Sequence, residues 1–256
     1  MNLLLDIGNT SIQWAMGKPG EAHVGAVNHV RHKKQWPTVC QQVVASLGGQ
    51  AVKVKGIYIA SVLSEEENQQ IKQLLAQRTP LPVHFYYAEK HRLGFENSYA
   101  QPEKLGVDRW LAILEAWHRH GASVVIDCGS AITVDVADEQ GRHLGGYIVP
   151  GLAMLVNALY QGTSQVQVGM AWPEDLALAS NTLEAVNKGC GKMCASFINQ
   201  LINEQNKRLG KAVVYLTGGD AAYLAPWITA PTKMDNSLVL CGLNRVAANL
   251  GERAKG

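Results

Sequence analysis

Short apolar runs alternate with amphipathic stretches along the whole chain. NLLLDI (2–7) and SIQWAM (11–16) flank a Gly8-Asn9 pair, a pattern that predicts a β-hairpin. IYIASV (57–62) and PVHFYY (82–87) predict strands. Between them, EEENQQIKQLLAQR (65–78) predicts an amphipathic helix capped by Ser64, with Glu67 three residues on. WLAILEAWH, apolar at 110, 111, 113, 114 and 117, predicts a helix over 110–118. The second half repeats this order. Hairpin strands are expected within 123–137, a strand ending in GGYIVPG (145–151), a helix from 152 and a long helix near 183–208. Strand VVYLTGG (213–219) and helices over 220–228 and 241–253 complete it. Strands alternating with helices in both halves define a two-domain α/β chain, with domains expected over 1–118 and 119–256.

One position breaks the pattern. Asp6 ends an apolar run where a strand interior favours Val or Leu, and alone it would be an ordinary surface residue beside a turn. The stretch VVIDCGSAITVDVA (124–137) repeats the arrangement: apolar run, Asp-x-Gly, small hydroxyl residues, second apolar run. Asp6 and Asp127 stand 121 residues apart in a chain of 256, so the chain reads as a duplicated unit.

Composition narrows the possibilities. With 47% hydrophobic and 17% charged residues, each half can bury a core. A formal charge of +2 gives no field suited to a nucleic-acid partner, and the basic cluster HVRHKK (29–34) reads as a solvated loop. The N-terminal apolar run is short and ends at Asp6, and later apolar stretches fall short of the roughly 20 residues a membrane span needs. Five cysteines without zinc-type spacing read as free thiols of a reducing cytoplasm.

Two Asp-x-Gly hairpins suit a nucleotide. Glycine lets backbone N–H groups approach phosphate oxygens, and Thr or Ser hydroxyls add donors. A carboxylate cannot bind phosphate directly, but it can hold Mg²⁺ or its water shell. TGGDA (217–221) suits the nucleoside, although a plain strand-to-helix turn would also explain it. In NSYAQPEKLGVDR (97–109), Asp108-Arg109 stands before a predicted helix, so a helix cap plus a solvated Arg is one account. The functional account also uses Tyr99 and Gly106. Phosphorylating an alcohol needs a base at the hydroxyl and charge stabilisation on the transferred phosphoryl group; Asp108 and Arg109 are the right types.

With DIGNT (6–10), DCGSAIT (127–133), GGYIVPG (145–151) and TGGDA, the arrangement resembles the acetate kinase, sugar kinase and actin superfamily of duplicated ribonuclease-H-like domains with an interdomain nucleotide cleft. The long N-x-Y-x-x-P-x-x-L-G-x-D-R block is the most specific, and the chain is similar to type III pantothenate kinases from residue 2 to beyond 240. The resemblance implies ATP-dependent phosphorylation of pantothenate to 4′-phosphopantothenate, the first step of coenzyme A biosynthesis. It implies that Asp108 is the general base and that Tyr99, Gly106, Val107, Asp108 and Arg109 contact pantothenate. It makes Asp6, Ile7, Gly8, Asn9, Thr10, Ser11, Ile12 and Gln13 the ATP phosphate loop, with Asp6 on Mg²⁺ directly or through water. Ser130 is also implied at the ATP, with Gly218 and Gly219 beside it. Asp127 would hold a monovalent cation, K⁺ or NH₄⁺. Thr182 would reach the substrate of the partner subunit in a homodimer; capping its own helix is the alternative.

Two residues depart from the common pattern: Ser130 stands where Thr is commoner, and Gln13 where some relatives have Lys. Two rival functions are a non-catalytic regulatory homologue and a same-fold kinase acting on another small alcohol. The first predicts damage to Asp6, Asp108 or Asp127, all of which are intact.

Overall fold

The structure, a computed structural model, describes residues 1–162 and 170–248, the side chains of 50–52 excepted. The expected hairpin is β1 (Asn2–Ile7) and β2 (Ser11–Gly17), extended by β3 (Asn28–Arg31). The start of the basic cluster is therefore an edge strand, not a loop. A helix not expected from the sequence follows, α1 (Trp36–Ala45); it buries Trp36, Val39, Cys40 and Val43, one face at helical spacing. Next come β4 (Ile57–Ser61), α2 (Glu65–Ala76) and β5 (Val83–Tyr86). Ser64 caps α2 as expected, accepting from the backbone N–H of Glu67. A small hairpin of β6 (His91–Arg92) and β7 (Phe95–Glu96) precedes α3 (Val107–His120).

The second series is β8 (Ser123–Cys128), β9 (Ala131–Ala137), β10 (His143–Pro150), α4 (Leu152–Gly162) and α5 (Thr182–Leu209). It ends with β11 (Val213–Thr217), α6 (Ala221–Leu224), β12 (Lys233–Met234) and α7 (Leu238–Ala248). The expected helix at 220–228 is one α-turn followed by a 3₁₀ turn at Ala225–Trp227, because Pro226 cannot donate to a continuing helix. The last helix begins three residues earlier than expected, and its expected end at 249–253 lies outside the described residues.

The duplication is visible in the sheets. One has the order β3-β2-β1-β4-β5 and the other β10-β9-β8-β11-β12, each an antiparallel meander joined to parallel strands. Two compact units result: Met1–Glu115 with the described residues from Ser237 onward, and Ala116–Asn236. In the first unit, Leu3, Leu5, Ile7, Ile57 and Ile59 meet α1 and α2 residues such as Val39, Val43, Ile71 and Leu75. In the second, Val124, Ile126, Val134 and Leu216 meet Ile198, Leu201 and Ile202 of α5.

The C-terminal helix, expected to close the second domain, packs instead on β1, β2 and β4 of the first sheet. Two polar fasteners hold it. Asn244 donates to the carbonyls of Lys18 and Glu21 (2.8 and 3.0 Å), and Arg245 makes a bidentate pair with Glu115 of α3. The buried Arg92 also donates to the carbonyl of Val246, in the last turn of α7 (2.8 Å).

Candidate active site

Asp6 and Asp127 occupy equivalent places. Each is the fifth residue of a six-residue strand with the same burial pattern, four buried positions, a half-buried Asp and a buried residue. Asp6 lies in register between Gln13 on β2 and Ala60 on β4; Asp127 lies between Thr133 on β9 and Thr217 on β11. Both aspartates stand at the end of a central strand, where parallel α/β sheets bind their ligands.

The first turn is closed by the N–H of Gly8 donating to the carbonyl of Ser11 (2.9 Å), which leaves Asn9 and Thr10 exposed at its tip. Ile7 and Ile12 point into the core, so within this loop only their backbone is available to a ligand. His32, expected in a solvated loop, is buried behind this turn. Its Nε2 lies 3.1 Å from the Gly8 carbonyl, and its own N–H donates to the Thr10 carbonyl (3.2 Å). The N–H of Lys34 donates to Nδ1, which leaves Nε2 as the donor to Gly8. Trp36 lies against the ring at a tilt of 33°, with centroids 4.4 Å apart, and helps to fix it. No local pattern marks His32, because its role depends on β3 lying beside β2.

The second turn, Gly129-Ser130, is one residue shorter, with the N–H of Gly129 donating to the carbonyl of Ala131 (3.1 Å). Gly218 packs directly on it: a Cβ there would overlap the Asp127 carboxylate and the Cys128 carbonyl, and φ is +93°. Only glycine meets both demands. Asp220 then donates its N–H to the Cys128 carbonyl (2.8 Å), so the expected cation and nucleoside loops form one cluster in the second unit. Burial, then the nearby Asp127, Asp220 and Cys194, pushes the Cys128 thiol far above its usual range.

The N-x-Y-x-x-P…G-x-D-R block folds around Asn97, which is fully buried. Its amide donates to the Pro102 carbonyl and accepts from the Tyr99 N–H (3.1 and 3.0 Å). Gly106 accepts the first helical bond, from Trp110 N–H (2.9 Å), so α3 starts before Asp108. Asp108 is thus inside the first turn, accepting from the N–H of Arg109 (2.8 Å), and is not the helix cap. A Cβ at Gly106 would lie 2.6 Å from its Oδ1, so the glycine makes room for this carboxylate. Nor is Arg109 solvated; it is 8% exposed and donates to the Tyr99 hydroxyl (3.2 Å). Tyr99, Gly106, Asp108 and Arg109 are brought together, while Val107 turns into the core.

Thr182 belongs to the second unit, at the first position of α5. Asn181 is the cap, accepting from the N–H of Glu184 (3.0 Å), which removes capping as the role of Thr182. Thr182 lines a cavity of about 910 Å³ between α4 and α5, with Leu155, Leu159, Val186 and Met193.

The donor set can be weighed against the expected ions. Mg²⁺ takes one or two carboxylates and keeps its waters and phosphate oxygens. Asp6 beside an exposed turn fits that, and Asp127 beside backbone carbonyls fits a monovalent ion. Among the described residues, no group of three or more His, Cys, Asp or Glu forms a self-sufficient metal cage.

Two sheets of matching order, each with an Asp-x-Gly turn at the end of its central strand, define a duplicated ribonuclease-H-like α/β fold. Solved structures share this fold. A Campylobacter jejuni protein described as a Baf family transcriptional activator aligns over 99% of this chain and 100% of its own (TM-score 0.59, 22% identity). The ethanolamine utilization protein EutJ of Carboxydothermus hydrogenoformans aligns over 96% and 89% (TM-score 0.53, 13% identity). The chain belongs to the type III pantothenate kinase family, whose pattern matches residues 2–204. A type III pantothenate kinase of Alcanivorax borkumensis is 40% identical over 97% of this chain and 99% of its own; one of Marinobacter nauticus is 34% identical over 97% and 98%.

Proposed function

We propose that this chain transfers the γ-phosphoryl group of ATP to the primary hydroxyl of pantothenate, the entry to coenzyme A biosynthesis. The observation that carries this reading is the assembly of Asp108, Arg109 and Tyr99 at the head of α3. A carboxylate that is not a cap and an arginine held in place beside it match the needs of phosphoryl transfer to an alcohol. In this reading Asp108 takes the hydroxyl proton, Arg109 and Tyr99 orient the substrate, and Gly106 and Val107 contribute backbone. The turn from Asp6 to Gln13, with Ser130, Gly218 and Gly219, holds ATP. Mg²⁺ at Asp6 and K⁺ or NH₄⁺ at Asp127 would supply charge neutralisation on the phosphates. Gln13 brings no charge, so Arg109 and the ions carry that burden.

The homodimer belongs to the same proposal. Ile148, Met154, Leu183 and Met193 are all exposed large apolar side chains on β10, α4 and α5 of the second unit. A second copy of the chain is the occupant that suits them, and it would bring Thr182 to the partner's substrate.

A coupled ADP-release assay tests the activity, with pantothenate set against a panel of sugars and polyols, with and without K⁺. Pantothenate-dependent release is expected, stimulated by the monovalent ion. Release driven by another alcohol but not by pantothenate would overturn the reading.

A further inference from the structure

We infer that Trp172 and Tyr223 form an aromatic shelf on which the nucleotide base stacks, an inference that rests on the nucleotide-dependent reading above. The two rings are 4° from parallel, with centroids 4.2 Å apart. Trp172 is held from behind. It packs against the buried group of Leu152, Val156 and Cys190, and the adjoining Ala171 donates its N–H to Asn187 Oδ1 (2.8 Å). Asn187 is itself buried and tied to the Leu183 carbonyl (2.9 Å). Tyr223 is 49% exposed although Trp172 covers one face of its ring, so the open area is its other face and rim. A flat ring fixed from behind and open in front loses little freedom when a second ring stacks on it.

The shelf is placed for a base. Tyr223 is the third residue of α6, which opens from Gly218-Gly219-Asp220; at 1.5 Å per residue it lies about 4.5 Å along the axis from Asp220. Asp220 is bonded to the loop that carries Asp127 and Ser130. At Gly219 a Cβ would meet nothing within 4 Å, which leaves room for a ribose between loop and shelf. Pantothenate is acyclic and has no aromatic ring, so of the two reactants only the nucleotide offers a ring to stack on an aromatic platform. Stacking of this kind accepts any base, since every base has a π face.

The test compares Tyr223→Leu, which removes the π face, with Tyr223→Phe, which keeps it. ADP and inorganic tripolyphosphate binding are measured by calorimetry alongside steady-state kinetics. For the Leu variant the Kd for ADP and the KM for ATP should rise about tenfold. Its tripolyphosphate affinity, pantothenate KM and melting temperature should stay at wild-type values, and the Phe variant should match wild type. A second measurement needs no variant: saturating ADP, but not tripolyphosphate, should shield Tyr223 from nitration by tetranitromethane, read by mass spectrometry. Unchanged ADP affinity in a folded Leu variant, equal loss of tripolyphosphate binding, or absence of protection would each overturn the shelf. In those cases pantothenate-dependent turnover would leave the kinase reading standing. Tyr223-dependent ADP binding without turnover of pantothenate would strike the kinase reading and leave the shelf.

Discussion

Arg109 donates from its guanidinium to the Tyr99 hydroxyl across 3.2 Å, joining two residues that are ten apart in sequence. The bond orients a nearly buried cation beside Asp108. Replacing Asp108 by Asn should lower kcat by about 10²–10⁴, the usual scale for a lost general base, while ATP affinity and melting temperature hold. Near wild-type turnover would leave Asp108 with only a local role at the head of α3. Tyr99→Phe should act differently, raising the pantothenate KM more than it lowers kcat.

His32 offers a test of the first turn. Its ring reaches the Gly8 carbonyl, and its backbone reaches Thr10. Removing one such hydrogen bond is worth about 1 kcal/mol, so His32→Gln should raise the KM for MgATP roughly fivefold. Asp6→Ala should impair the same parameter more severely. Unchanged kinetics at limiting MgATP for Asp6→Ala would remove the aspartate from the phosphate loop.

The shared site predicts complementation. Asp108→Asn and Thr182→Arg homodimers should each be nearly inactive. Mixing them by co-expression puts both lesions in one site of each heterodimer and neither in the other, so random pairing restores about a quarter of all sites. Verified heterodimers that stay inactive would confine each site to one chain.

Glu115 and Arg245 predict a stability effect at a distance from the reaction. Glu115 is 0% exposed, and its carboxylate meets Arg245 at 2.6 and 3.1 Å. Fully buried pairs broken from one side lose about 3–5 kcal/mol; with the Arg245 side chain 25% exposed, the loss here should lie at or below the lower end of that range. Arg245→Met alone should show this loss in urea denaturation, and Glu115→Leu with Arg245→Met should recover most of it. Equal losses in the single and double variants would show that the pair does not act as a unit.

The cysteines predict a chemical silence. All five are free and buried. Burial pushes the Cys40 thiol up to about 11, partly offset by Arg78, and burial with Cys190 nearby pushes Cys194 up to about 11. Raised folded-state values favour the protonated thiol. Their contribution to stability is full below the ordinary thiol value and lost as pH climbs through 11. At pH 8 about one such thiol in a thousand is ionised, so a disulfide reagent should label native protein slowly and unfolded protein at once. Rapid native labelling at Cys40 or Cys194 would contradict this burial.

What the sequence determined by itself was local and repeated. The period-two runs around Gly8-Asn9 and Gly129-Ser130 specify two hairpins, because apolar alternation and a turn residue act within a few positions. Asp6 and Asp127 stood out as misfits in apolar strands, and Ser64 with Glu67 marked the start of α2. Tertiary structure decided which surface each piece covers. An apolar α7, buried on nearly every side, fits either sheet by pattern alone; the packing of Asn244 at Lys18 and Glu21, and of Arg245 at Glu115, assigns it to the first. His32 reads as part of a solvated basic cluster because charge near a turn usually is, and only its burial beside Gly8 makes it part of a site. Arg109 was legible as a site residue from its block, while its near-complete burial against Tyr99 was decided by the fold. Trp172 and Tyr223 carry no joint signal at 51 residues' separation, since ring stacking depends on two surfaces meeting and leaves no periodicity in the chain.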